Sequence, residues 1–194
     1  MGRPREFNIE KALETAGELF WRKGYEGTSL SDLTGAIGIT PPSFYSAFGS
    51  KEELFRKIAD RYQSAHLGFF AEALSQETPR AVAEGVLYGL ANAYTTKGHP
   101  PGCLAMNCSL PCAEEGGDSI RVELADRRKA TRLELRKRFK HFQSTGALPT
   151  DADVDVLARY VLTVAWGMAV EAQSGASRSD LHRTVKQALA SWPT

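Results

Sequence analysis

From Asn8 to Lys23 the apolar residues Ile9, Ala12, Leu13, Ala16, Leu19 and Phe20 recur three and four positions apart, the spacing of one helical face. Asn8 can cap that helix and Gly24 can end it. Leu30, Leu33 and Ile37 form the buried side of a short second helix, opened by Ser29 with Asp32 and closed by Gly38. Thr40 caps a third, with Pro41 at its first position, where a missing N–H costs nothing, and Gly49 at its end. Ser50 and Glu53 make a capping box for a fourth. Its apolar positions Leu54, Phe55, Ile58, Tyr62, Ala65, Phe69 and Phe70 predict one rod running to about Ala73.

The helical pattern persists beyond it. Thr78 and Pro79 start a helix carrying Val82, Val86, Leu90 and Ala93, which "KGHPPG" breaks; a short element spans Cys103 to Ala113, and "EEGGDS" breaks again. A long charged helix covers Ser119 to Ser144, Asp151 or Asp153 opens another to Ser174, and Ser177 with Asp180 opens a last one ending at Trp192. No alternating strand pattern, internal repeat or low-complexity tract interrupts this, so the chain reads as all-α with about nine helices.

Ile39 and Phe44 can bury against Leu33 and Ile37, which makes the second and third helices a tight pair joined by Gly38-Ile39-Thr40, the spacing of a helix-turn-helix. Helices this short need a support, and the first helix supplies it. The predicted organisation is a three-helix unit over residues 1–50, a connector helix from about 51, and a helical second domain over 51–194.

Composition narrows the function. The 194 residues are 42% hydrophobic and 24% charged, the profile of a folded protein. The stretch "MGRPREFNIEK" has no apolar h-region and no run of about 18 apolar residues occurs, so a cytoplasmic protein without a leader or a membrane partner is expected. Cys103, Cys108 and Cys112 are an odd number crowded into one segment and are expected as reduced thiols. The net charge is +1, and residues 1–61 hold Arg3, Arg5, Lys11, Arg22, Lys23, Lys51, Arg56, Lys57 and Arg61 against an equal number of acids, so a nucleic-acid site has to be a local face. The chain has no glycine-rich phosphate loop and no nucleophile elbow, and His66, His99, His141 and His182 are scattered; no catalytic residue, cofactor or metal set is expected.

The run "TSLSDLTGAIGITPPSFYSAFGSKEELF", Thr28 to Phe55, resembles the DNA-binding signature of the TetR/AcrR family of bacterial transcriptional regulators. The agreement lies in Thr28, Leu33, the Gly38-Ile39-Thr40 turn, Tyr45, Phe48 and Ser50-Lys51-Glu52-Glu53-Leu54, with "LFWRKGYEGT" preceding them; Thr34 stands where the family usually has Ala. The resemblance implies a helix-turn-helix DNA-binding domain followed by a helical ligand-binding and dimerisation domain. It also implies a homodimeric regulator, a repressor released from a palindromic double-stranded operator by a small-molecule effector.

Thr28, Ser29, Thr40, Tyr45 and Lys51 are the candidate phosphate contacts, since hydroxyls and helix N-termini can hold phosphate oxygens without a large net charge. Lys51 sits in the first turn of its helix, where the macrodipole disfavours a cation and a phosphate would explain it. Base contacts are expected from Pro42, Ser43 and Ser46, with Pro41 close by. Arg3 and Arg5 form an arm that is either a minor-groove reader or a solvated tail.

The helix from Asp153 to Ser174 is apolar almost all round, so one face should pack on its own domain and the other on a partner. Val161, Val164, Ala165, Met168 and Ala169, with Leu181, Val185, Ala188 and Trp192, are the expected interface of a two-fold four-helix contact. Phe69, Phe70, Tyr88, Tyr94, Met106, Phe139, Phe142 and Trp166 are pocket candidates, each alternatively plain core. The cysteines admit soft-metal binding, oxidation sensing or burial as inert thiols; Cys108 and Cys112 share a face if their segment is helical. A thiol- or metal-sensing regulator, a helical thiol or metal enzyme, and a helix-turn-helix used only for protein contacts are the competing readings.

Overall fold

A computed structural model describes residues 8–109, 119–190 and 192. These form ten helices and no strand: α1 Ile9–Lys23, α2 Leu30–Ile37, α3 Pro41–Phe48, α4 Lys51–His66, α5 Phe69–Ser75, α6 Pro79–Tyr94, α7 Leu104–Asn107, α8 Ser119–Ser144, α9 Val154–Gln173 and α10 Arg178–Ala190. The caps act as their chemistry predicts. Asn8 Oδ1 accepts from the Lys11 N–H at 3.0 Å, and Ser29 and Asp32 complete a reciprocal capping box. Ser50 Oγ accepts from the Glu53 N–H at 3.0 Å, but the Glu53 carboxylate lies over Gly49, where a Cβ would collide with it. Asp153, not Asp151, opens α9, accepting from the Asp155 and Val156 N–H groups.

The fourth helix does not run to Ala73. It ends at His66, Leu67 turns the chain, and α5 begins at Phe69, which raises the helix count from about nine to ten. The cause lies in α6. Gly85 and Gly89, one turn apart, clear a notch: a Cβ on Gly89 would strike the Phe69 ring, and one on Gly85 would come within 3.0 Å of Ala73 Cβ. Seating Phe69 and Ala73 in that notch requires α5 to leave the line of α4.

Phe20, Leu33, Phe44, Phe48, Leu54 and Phe55 fill the core beneath the first helices, and this core continues without a gap into that of α6, α8, α9 and α10. Thr34 fits its packed position by turning its hydroxyl onto the Leu30 carbonyl at 2.9 Å, so the departure from Ala leaves no orphaned polar group.

Two polar seams tie the N-terminal helices to the rest. On one side Asn107 Nδ2 donates to the Trp21 carbonyl at 2.7 Å, and the Cys108 thiol contacts the Phe20 carbonyl at 3.4 Å, pinning the end of α7 under the end of α1. On the other, Arg56 pairs with Glu123 at 2.8 Å, and Arg127 bridges Asp60 at 2.7 Å and Glu123 at 2.9 Å, linking α4 to α8.

Candidate functional site

The outer surface of α3 is built by its neighbours. Phe44 and Phe48 bury toward α2 and α4, which leaves Thr40, Pro41, Pro42, Ser43, Tyr45 and Ser46 facing outward. Thr40 Oγ1 caps the helix at the Ser43 N–H and shares a 3.0 Å hydrogen bond with the Ser43 hydroxyl, holding both at the exposed N-terminal end. Tyr45 is 53% exposed, its ring edge-on to Phe44 at 5.8 Å. Lys51, in the first turn of α4, reaches over the Tyr25 ring with Nζ 4.1 Å from the centroid.

One expected phosphate contact turns inward. The Thr28 side chain is fully buried and its hydroxyl donates to the Gly24 carbonyl at 2.7 Å, tying the turn between α1 and α2. Ser29 stays exposed, but its hydroxyl donates to Asp32 Oδ2 at 2.7 Å as part of the cap. Sequence reasoning passed over the pairing of Lys23 with Asp32: their 2.7 Å ion pair clamps α1 to α2, and Lys23 with Ser29 holds the Asp32 carboxyl well below the usual range. Arg3 and Arg5 lie outside the described residues.

Behind this surface is a cavity of about 250 Å³ walled by α4, α6, α7, α8 and α9 with Phe70 of α5, and with Tyr62, Tyr94, Cys103, Met106, Arg128 and Trp166 among its lining. Of the pocket candidates, Phe70, Tyr94, Met106 and Trp166 line it. The other four are core or surface packing. Phe69 fills the α6 notch, Tyr88 meets the His182 ring edge-on at 5.0 Å, Phe139 packs on Trp192, and Phe142 lies under the Arg138 guanidinium. Tyr62 was legible as an apolar position of α4; Arg128, inside a charged helix with no dominant face, carried no sequence signal.

The two described thiols are shielded. Burial pushes the Cys108 thiol up to about 12 and the Cys103 thiol upward too, the latter partly opposed by N–H groups of Met106 and Ala105 and by the Tyr62 hydroxyl. Neither is a thiolate at neutral pH, the form that binds metal or reacts. Cys112, and with it the face it would share with Cys108, lies outside the described residues. Among the described residues no cluster of three or more metal-binding side chains occurs, and no helix is long and apolar enough to cross a membrane.

Residues 12–58 match the family model described as bacterial regulatory proteins, tetR family. The transcriptional repressor ComR of Escherichia coli (strain K12) is 34% identical over 197 residues, covering 99% of this chain and 92% of ComR. The chain belongs to the TetR family. A second repressor from the same strain, BdcR, is 36% identical over 107 residues, 54% of each chain. A cysteine mutant of the TetR-family regulator CifR, solved with a 26-bp double-strand operator DNA, superimposes with a TM-score of 0.88 at 35% identity, covering 98% of this chain and 100% of that one. This TetR-family chain is accordingly a DNA-binding transcriptional regulator and not an enzyme.

The expected partner-facing residues of the regulator are mostly occupied by its own core. Val161, Ala165, Met168 and Ala169 of α9, Leu181, Val185 and Ala188 of α10, and Trp192 are all buried within one chain, and Val164 is half-buried. Among the residues α9 turns outward, beside Arg159, Glu171 and Gln173, are Val156, Tyr160, Thr163, Gly167 and Val170, at alternating spacings of four and three. That spacing is the seam of two helices packed at a shallow angle. Reading α9 as apolar all round concealed which stripe faces which way.

Proposed function

We propose that the protein is a dimeric, ligand-responsive repressor that leaves a palindromic operator when a small molecule occupies the cavity behind its helix-turn-helix. Residues 1–50 would read DNA, α4 would connect, and 51–194 would bind effector and partner. The observation that carries this reading is that two of the cavity walls, α7 and α8, are fastened to the DNA-reading unit and its connector helix. Helix α7 holds the end of α1 through Asn107, and α8 holds α4 through Glu123 and Arg127.

On the DNA side, the hydroxyls of Thr40, Ser43, Tyr45 and Ser46 are exposed along α3 with Pro41 and Pro42, and Lys51 opens the next helix. These groups suit phosphate oxygens and shallow, apolar base edges; Pro and Ser discriminate weakly, so much of the specificity would come from DNA shape. Dimerisation through the outward stripe of α9 would set the two α3 helices at successive major grooves, about 34 Å apart. The operator complex solved for CifR supports the same mode of binding.

A ligand releases DNA only through unequal affinity for two arrangements, and a tenfold loss of operator affinity needs about 1.4 kcal/mol of coupling. Thiol or metal signalling is the weaker alternative, because Cys103 and Cys108 are buried and protonated. Footprinting with the purified protein on DNA flanking its own gene tests the proposal. A protected, two-fold symmetric site is the expected result; no protection at low salt would contradict it.

A further inference from the structure

Among the described residues, one charge in the cavity has no partner. Arg128 lines it from α8. Its Nη1 is closed off from solvent without a hydrogen bond. Among the described residues Arg128 also makes no ion pair, whereas its neighbour Arg127 is held by Asp60, Glu123 and Gln63. Arg138, which also has an unbonded buried nitrogen, is otherwise satisfied: it donates to the Gln76 carbonyl at 2.7 Å and lies over the Phe142 ring. What faces Arg128 is the Cys103 thiol, which burial keeps protonated and therefore without a charge to balance the guanidinium. A guanidinium cannot shed its proton to escape burial, so Nη1 of this half-buried side chain is left as an unpaired donor beside a largely apolar cavity.

We propose that the effector is an anion with an apolar body, a small carboxylate whose charged end is taken by Arg128 and whose body lies against Trp166, Met106 and Tyr94. This rests on the effector-binding reading of the cavity given above. The guanidinium matches a carboxylate through parallel N–H donors, a geometry an ammonium lacks. The volume of about 250 Å³ is at the small end for ligand sites, which favours a medium-chain or single-ring acid over a long-chain one. The hydroxyl of Tyr62, also in the lining, is kept protonated by burial and so remains a donor near neutral pH. Among the described lining residues Glu134 is the one carboxylate, and its side chain is exposed.

The free protein offers a readout of its own. If Arg128 is kept for a ligand and not for the fold, Arg128→Met should raise the melting temperature of the unliganded protein, since an apolar side chain of similar length replaces an unpaired charge. Arg128→Lys should stay near the wild-type value. Binding is then measured on the full-length protein with octanoate and its uncharged counterpart octan-1-ol, by calorimetry and by Trp fluorescence. The wild type should take octanoate at least tenfold tighter than octanol; Arg128→Met should lose that preference while still binding octanol. Equal binding of the two probes by the wild type, or an unchanged preference in Arg128→Met, overturns the anion assignment and leaves the cavity as an effector site. A lower melting temperature for Arg128→Met makes Arg128 structural and also overturns it. Binding of neither probe at millimolar concentration contradicts both the assignment and the cavity reading beneath it.

Discussion

The side-chain amide of Asn107, at the end of α7, donates to the backbone carbonyl of Trp21 across 2.7 Å, joining one wall of the cavity to the last turn of α1. That carbonyl is near the helix C-terminus, where backbone acceptors run out of partners within the helix. Gln173 of α9 in turn donates to Asn107, so one residue links α1, α7 and α9. Replacing Asn107 by Ala should cost about 1 kcal/mol of stability, the net worth of such a bond. Its larger effect should be on signalling: operator affinity near wild type, with a smaller loss on adding an inducer. Gel-shift titrations with and without inducer measure this, and an undiminished response would show that coupling bypasses α7.

Gly167 offers a test of the dimer. It sits in the middle of α9, and a Cβ added there would meet no atom within 4 Å, so the single chain has no steric need for glycine at this position. Glycine in a helix interior costs about 0.5–1 kcal/mol relative to Ala. A partner helix crossing at this point would explain its presence. Gly167→Arg should therefore leave the helical circular dichroism intact and yield monomers in sedimentation, with operator affinity sharply reduced. Intact dimers would move the interface elsewhere.

Stability should fall on the acid side of neutrality. Burial, and then the neighbouring His99, lower the pKa of His66. Its ring lies against Trp21, Tyr62 and His99, with the two imidazoles 4.8 Å apart. A histidine whose folded pKa is depressed binds fewer protons folded than unfolded, so its contribution is fully present above about 6.5 and declines as pH falls below that value. Denaturant unfolding at pH 8 and pH 5.5 should show the decline, and His66→Gln should flatten it. A variant with the same pH profile as the wild type would assign the effect to other groups.

The thiols should be slow. With Cys112 replaced by Ser, Cys103 and Cys108 should react with iodoacetamide at pH 7 far more slowly in the native protein than after unfolding, because both are buried and protonated. Native-state labelling at the rate of a free cysteine would restore the thiol-sensing alternative.

What was legible in the sequence was local. Asn8, Ser29, Thr40, Ser50, Thr78 and Asp153 each cap the helix they precede. Capping is decided within four residues, and the family signature from Thr28 to Phe55 is built from such signals. What escaped depends on remote neighbours. The break after His66 is set by Gly85 and Gly89. The orientation of α9 is set by which neighbours cover Val161 and Met168, and the inward turn of Thr28 by the Gly24 carbonyl. Arg128 matters only because a cavity forms beside it, which no periodicity in α8 encodes.

If the surface around α3 and the start of α4 grips DNA, the salt dependence of operator binding should differ between the wild type and Lys51→Ala. A phosphate contact at Lys51 predicts weaker binding by a similar factor on operator and unrelated DNA, and a log K against log salt slope smaller in magnitude by about 1. Unchanged affinity and slope, in a variant that melts like the wild type, would contradict the account.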